Sequence, residues 1–135
     1  MISFFKDFYN YIYFIKLSKN KKAFFIDNSN LVKYLKPYIL KKLNKDIIVI
    51  LFEDYNFDFG PISSFVFKTT LFRSLVFLTH KLRVLYSSTP GLNKTIFSKS
   101  KFAKCKYIYL QHSPVSLTLA YPDEYFDDFD AVQTI

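Results

Sequence analysis

The 135 residues are 50% apolar and 21% aromatic, with 17 Phe, 11 Tyr and no Trp. That excludes a disordered chain, which is poor in aromatic and other apolar residues, and the length suits one domain. A single cysteine, Cys105, excludes an intramolecular disulfide framework and fits a reducing compartment, while two glycines are too few for a repeated-glycine phosphate cradle.

The formal net charge of +8 is unevenly spread. Residues 1–106 hold 19 bases against six acids, a net of +13, and the last 29 residues hold five acids and no base, −5. A basic body points to a polyanionic neighbour: nucleic acid, an anionic membrane surface or a phosphate-bearing substrate. Only Arg73 and Arg83 among the bases are arginine, the usual bidentate reader of bases and phosphates, so sequence-specific nucleic-acid recognition is not expected.

In chain order, Ile2–Leu17 comes first. It is shorter than the ~20 residues of a membrane span and is interrupted by Lys6 and Asp7. It also lacks the small-residue cleavage site of a secretory leader. Phe4, Phe5, Phe8, Ile12 and Ile15 recur at spacings of three and four, which predicts an amphipathic aromatic helix over residues 1–20, apart from a domain over 21–135. Two readings stay open for this helix: an interfacial helix on an anionic membrane, aided by Lys16, Lys19, Lys21 and Lys22, or a helix packed on its own domain.

Four apolar runs follow, each ending in a break and leading to a helical pattern. Lys22–Ile26 ends at Asp27, and Leu31, Val32, Leu35, Ile39, Leu40 and Leu43 then trace a helix with a kink or a start at Pro37. Ile47–Phe52 is continuously apolar, as a strand covered on both faces should be, and is followed by Glu53, Asp54 and a connection to Pro61. Leu71, Phe72, Leu75, Val76 and Leu78 read as a helix. Leu82–Tyr86 and Tyr107–Leu110 are the next two strands, followed by a short helix near Glu124–Phe129 and a fifth strand at Ala131–Ile135. Alternating strands and helices predict an α/β domain: a largely parallel sheet with helices on both faces. A chain that stops on a bare parallel strand is expected to be the first half of a longer protein.

Ligands of such sheets bind beyond the carboxyl ends of the strands. That edge should carry Asp27, Glu53, Asp54, Ser87 to Thr89, and Gln111 to Ser113. His112 is the leading candidate, since it follows a strand directly and precedes Ser113-Pro114, a favourable N-cap and first helical residue. A helix N-terminus keeps an imidazole neutral and offers free N–H groups to an anion, which suits activating a hydroxyl that attacks phosphorus. The bland reading is a structural histidine. Thr89-Pro90-Gly91 repeats the design beside Ser88, and its bland reading is a capped turn. His80, between Thr79 and Lys81, reads as a surface residue. No P-loop, dinucleotide glycine motif, metal-ligand spacing or serine-hydrolase elbow is present, so no metal and no cofactor are expected.

Ser88-Thr89-Pro90-Gly91-Leu92, Lys99-Ser100-Lys101 and Tyr107-Ile108-Tyr109-Leu110-Gln111-His112-Ser113-Pro114, followed by Tyr121, Phe126 and Phe129-Asp130, resemble the CDP-glycerol glycerophosphotransferase family of teichoic-acid-type polymer synthesis. The likeness covers about residues 84–135. It implies the N-terminal, acceptor-side half of a two-domain, GT-B-type transferase, with a Rossmann-like domain here and the CDP-glycerol site in a second one. It also implies a cytoplasmic protein peripheral to the inner face of the cell membrane. The family's strand-end histidine, regarded as the catalytic base, falls on His112, with Gln111, Ser113, Pro114, Ser88 and Thr89 expected to bind substrate. The sequence departs from the family's His-Gly-Thr-Pro setting by placing Ser113 after the histidine, and from its following lysine by Ser116-Leu117-Thr118. The expected partners are CDP-glycerol and a glycerophosphate-type acceptor, with no activity without the nucleotide-binding half. The alternatives are a noncatalytic basic domain docking on anionic membrane or polymer, and the acceptor half of a nucleotide-sugar glycosyltransferase.

Overall fold

Six short strands pair, every one parallel to its neighbours, into a single sheet of order β3-β2-β1-β4-β5-β6. They are β1 (Lys22–Ile26), β2 (Ile47–Leu51), β3 (Ser63–Val66), β4 (Val84–Ser87), β5 (Lys106–Gln111) and β6 (Ala131–Thr134). Two helices accompany them, α1 (Ile2–Leu17) and α2 (Thr70–Thr79). The computed structural model describes residues 2–26, 36–37, 39–41, 46–52, 62–87, 105–111 and 129–134.

The central strands form where the sequence is most continuously apolar. Every residue of β2 (Ile-Ile-Val-Ile-Leu) is buried, as are the last four of β1, because both faces of the sheet are covered. Side chains alternate between those faces. Ala23, Phe25, Ile48, Ile50, Leu85 and Tyr107 join Phe14 of α1 and Phe72, Val76 and Phe77 of α2 in one core. Phe24, Ile26, Val49, Leu51, Tyr86 and Leu110 form the second, on the other face, with Ile39 from the helical residues 39–41. Helices therefore flank both faces. With its strand order, this is an α/β, Rossmann-like fold.

The expected strands are present with ends shifted by a residue or two, and the helix expected at 71–78 is α2. Of the helix expected from Leu31 to Leu43, residues 36–37 and 39–41 are helical; the remainder of that stretch, and 121–128, lie outside the described residues. β3 is the addition. It occupies a stretch that the sequence reading leaves without an element, because Ser63-Ser64-Phe65-Val66 offers one fully buried side chain, Phe65, and no long apolar run. An edge strand with one partner needs little more, and the main-chain ladder to β2 supplies the rest.

Polar side chains fasten the layers. Arg73 of α2 donates from Nε to the Phe67 carbonyl and from an Nη to the Phe52 carbonyl, both at 2.8 Å, with its guanidinium 4.3 Å from the centre of the Phe52 ring. One side chain thereby ties the ends of β2 and β3 to the helix above them. One of the two arginines of the chain is thus committed to the scaffold.

Candidate functional site at the carboxyl edge

In this strand order the direction of winding reverses between β1 and β4, and a doubly wound sheet opens its ligand crevice at that reversal, beyond the carboxyl ends. β1 ends there at Ile26 and β4 at Ser87, with Phe25 paired to Ser87 in register. Ser87 is fully buried, and among the described residues it is, tyrosines apart, the one polar side chain found buried within the sheet. The apolar run of β4 thus changes character at the point where the sheet reverses.

β5 lies beside β4, with Ser87 in register with Tyr109, and continues through Leu110 to Gln111, opposite Gln133 and Thr134 of β6. Gln111 therefore stands on the carboxyl edge, where the sequence reading puts it. Ser88 and Thr89 follow Ser87 in the chain, and His112, Ser113 and Pro114 follow Gln111; these five lie outside the described residues, as do Asp27, Glu53 and Asp54. The strands that lead into the two Ser/Thr/His-bearing segments are therefore adjacent and point the same way. Parallel neighbours lie about 4.8 Å apart, and β5 runs two residues past Tyr109, the register partner of Ser87, to end at Gln111.

The Phe129-Asp130 pair is part of the architecture of this half of the sheet. The Phe129 ring packs edge-on against Tyr109, with centroids 5.4 Å apart. Asp130 accepts the Tyr107 N–H on its carboxylate at 2.8 Å and donates its own N–H to the Tyr107 carbonyl at 2.7 Å, fixing the start of β6 against β5.

His80 is not the surface residue that its polar neighbours suggest. It follows α2 near the amino end of the sheet, and its Nε2 lies 2.9 Å from the hydroxyl of Tyr107, a side chain with no exposed surface. The Leu82 N–H approaches Nδ1 at 3.4 Å, which leaves the ring proton on Nε2 to be donated to Tyr107. Burial lowers the His80 pKa to about 4, so the ring is neutral at physiological pH. Local polarity of sequence misleads here, since the ring turns inward beneath Phe77 and Tyr107. Far from the carboxyl edge, it is a structural histidine.

Asp7 belongs to none of the sequence motifs. It is buried on α1 and accepts the backbone N–H groups of Lys68 and Thr69 and the Thr69 hydroxyl at the start of α2. An acid recurring with Asn10 and Phe14 at intervals of three and four was the available signal. Among the described residues no group of His, Cys, Asp and Glu could hold a metal ion, and no helix is long and apolar enough to cross a membrane.

Compared with protein-family models, with curated proteins and with solved structures, the chain matches none.

Proposed function

We propose that this domain is the acceptor-side half of a phosphoryl-group transferase, acting most specifically as a glycerophosphotransferase on CDP-glycerol. The observation that carries the reading is the adjacency of β4 and β5, which end at Ser87 and Gln111 on one edge of the sheet, immediately before Ser88-Thr89 and His112-Ser113 in the sequence. The short motifs shared with the CDP-glycerol glycerophosphotransferases support the finer assignment. In this mechanism His112 takes the proton of an acceptor hydroxyl as its oxygen attacks the β-phosphorus of CDP-glycerol. The new P–O bond joins glycerol phosphate to the acceptor, the bond to the α-phosphate oxygen breaks, and CMP leaves. Ser88, Thr89 and Ser113 hold phosphate or acceptor oxygens, and the donor is bound by a second domain.

The test is transfer of label from CDP-glycerol, radiolabelled in the glycerol, to a glycerophosphate primer by this chain joined with the donor-binding polypeptide. Label in the polymer and stoichiometric CMP support the reading. Transfer from nucleotide sugars alone would make the protein a glycosyltransferase, and no transfer from either donor would leave a noncatalytic binding domain.

A further inference from the structure

Helix α1 carries apolar side chains both on the side that faces the domain and on the side that faces away from it. Its inward side carries Asp7, Asn10, Tyr11 and Phe14: the Asp7 carboxylate is taken up at the start of α2, Asn10 Nδ2 donates to the Val66 carbonyl at 3.1 Å, and Tyr11 bonds the Thr79 hydroxyl. Its outward side carries Phe5, Tyr9, Tyr13 and Leu17, recurring every four residues and 63%, 61%, 45% and 45% exposed, flanked by Ile2 and Ile12. The helix thus buries its only acid and presents aromatic rings to the outside.

An isolated exposed Phe needs no explanation, but an apolar stripe about three turns long marks an interaction surface. Its composition selects the occupant. Among the described residues, the stripe's charged neighbours are all basic: Lys16 within it, Lys6 at its margin and Lys19 just past its end, each exposed. At the margin a depression, lined also by the buried Asp7, brings Lys6 and Lys68 together beside Ser3 and Asn10. Phe and Tyr seated among lysines, with no acid facing outward, match the boundary between acyl chains and anionic headgroups. At 16 residues the helix is too short to cross a bilayer and suits lying in its plane.

We propose that α1 docks this domain on an anionic phospholipid surface, lying in the headgroup plane with Phe5, Tyr9, Ile12 and Tyr13 among the upper acyl chains and Lys6 and Lys16 against lipid phosphates. The proposal is independent of the chemistry at the carboxyl edge.

The chain has no tryptophan, so Tyr9→Trp gives a single reporter. The full chain is titrated with vesicles of equal parts phosphatidylcholine and phosphatidylglycerol, and with vesicles of phosphatidylcholine alone. The expected result is a blue shift of Trp emission, with quenching by brominated acyl chains, on the anionic vesicles. Affinity for them should be at least about tenfold higher than for neutral ones. Phe5→Ser with Ile12→Ser should reduce vesicle binding at least about tenfold while leaving the thermal melt near wild type, because both side chains face outward. Sedimentation with anionic vesicles while the Trp stays water-exposed would overturn the proposal in favour of charge-only adhesion by the basic body. A concentration-dependent blue shift without lipid, with a dimer in analytical ultracentrifugation, would overturn it in favour of a second copy of the chain. Absence of binding to either vesicle would also overturn it.

Discussion

The Asp7 carboxylate in α1 accepts both the backbone N–H of Thr69, at 2.7 Å, and the Thr69 hydroxyl, at 2.6 Å. Thr69 is the N-cap of α2, and its own side chain makes no capping bond, so the anion expected at a helix start is delivered from another helix, 62 residues away in the chain. Together with Asn10, Tyr11 and Phe14, this buried acid seats α1 on the domain.

Asp7→Ala removes the acceptor for three donors at a half-buried helix start. The expected destabilisation is about 2–4 kcal/mol, combining a lost cap with unsatisfied polar groups. Asp7→Asn keeps one acceptor oxygen but turns an NH2 toward the N–H groups, and should fall between Ala and wild type. Urea unfolding followed by circular dichroism gives both values, and an unchanged midpoint for Asp7→Ala would show that the carboxylate does not hold α1 in place.

Arg73 joins the ends of two strands through a planar fork, a geometry that a lysine does not reproduce. Arg73→Lys preserves the charge, loses at least one of the two bonds to carbonyl oxygens and gives up the stacking on Phe52. A loss of about 1.5–3 kcal/mol in urea unfolding is expected. A loss near zero would mean that charge alone suffices there.

Much of this arrangement is legible in the sequence, for identifiable reasons. Continuous apolar runs such as Ile47–Leu51 announce strands covered on both faces, and the Leu71-Phe72-Leu75-Val76 spacing announces α2. β3 is illegible because an edge strand with one buried residue carries almost no pattern. The orientation of α1 is illegible because its aromatics lie on both sides of the helix, and the inward side is marked by Asp7 and Asn10, whose partners are far away in the chain. His80 fails similarly, since its polar neighbours in sequence are not its neighbours in space. Of the candidate site, the position of Gln111 at the carboxyl edge follows from the strand pattern, as does the strand-end placement of Ser87. The buried state of Ser87 depends on strand order, which the sequence does not state.

On the proposed glycerophosphotransferase reading, His112→Ala should reduce transfer by about 100-fold or more in the chain joined with its donor-binding polypeptide, for loss of a general base. The thermal melt and CDP-glycerol binding should stay near wild type, because the role assigned to the ring is proton transfer. His112→Gln, which keeps a polar group without basicity, should be equally inactive. Retained turnover in either variant would remove His112 from the mechanism, and loss of folding in both would make it structural.

His80 makes stability depend on pH with a definite sign. Its pKa is about 4 in the folded protein against an ordinary value of 6.5, so between these values the unfolded chain binds more protons than the folded one. Its contribution is complete above about pH 6.5 and is lost as pH falls toward 4, amounting to about 3 kcal/mol across that window. The wild type should therefore lose stability from pH 7 to 4 faster than His80→Gln, which can still bond Tyr107 but does not titrate. Carboxylates common to both proteins cancel in the difference, so urea midpoints of the two at several pH values isolate the histidine. Parallel pH profiles would show that the ring is solvated when charged, and would contradict its burial against Tyr107.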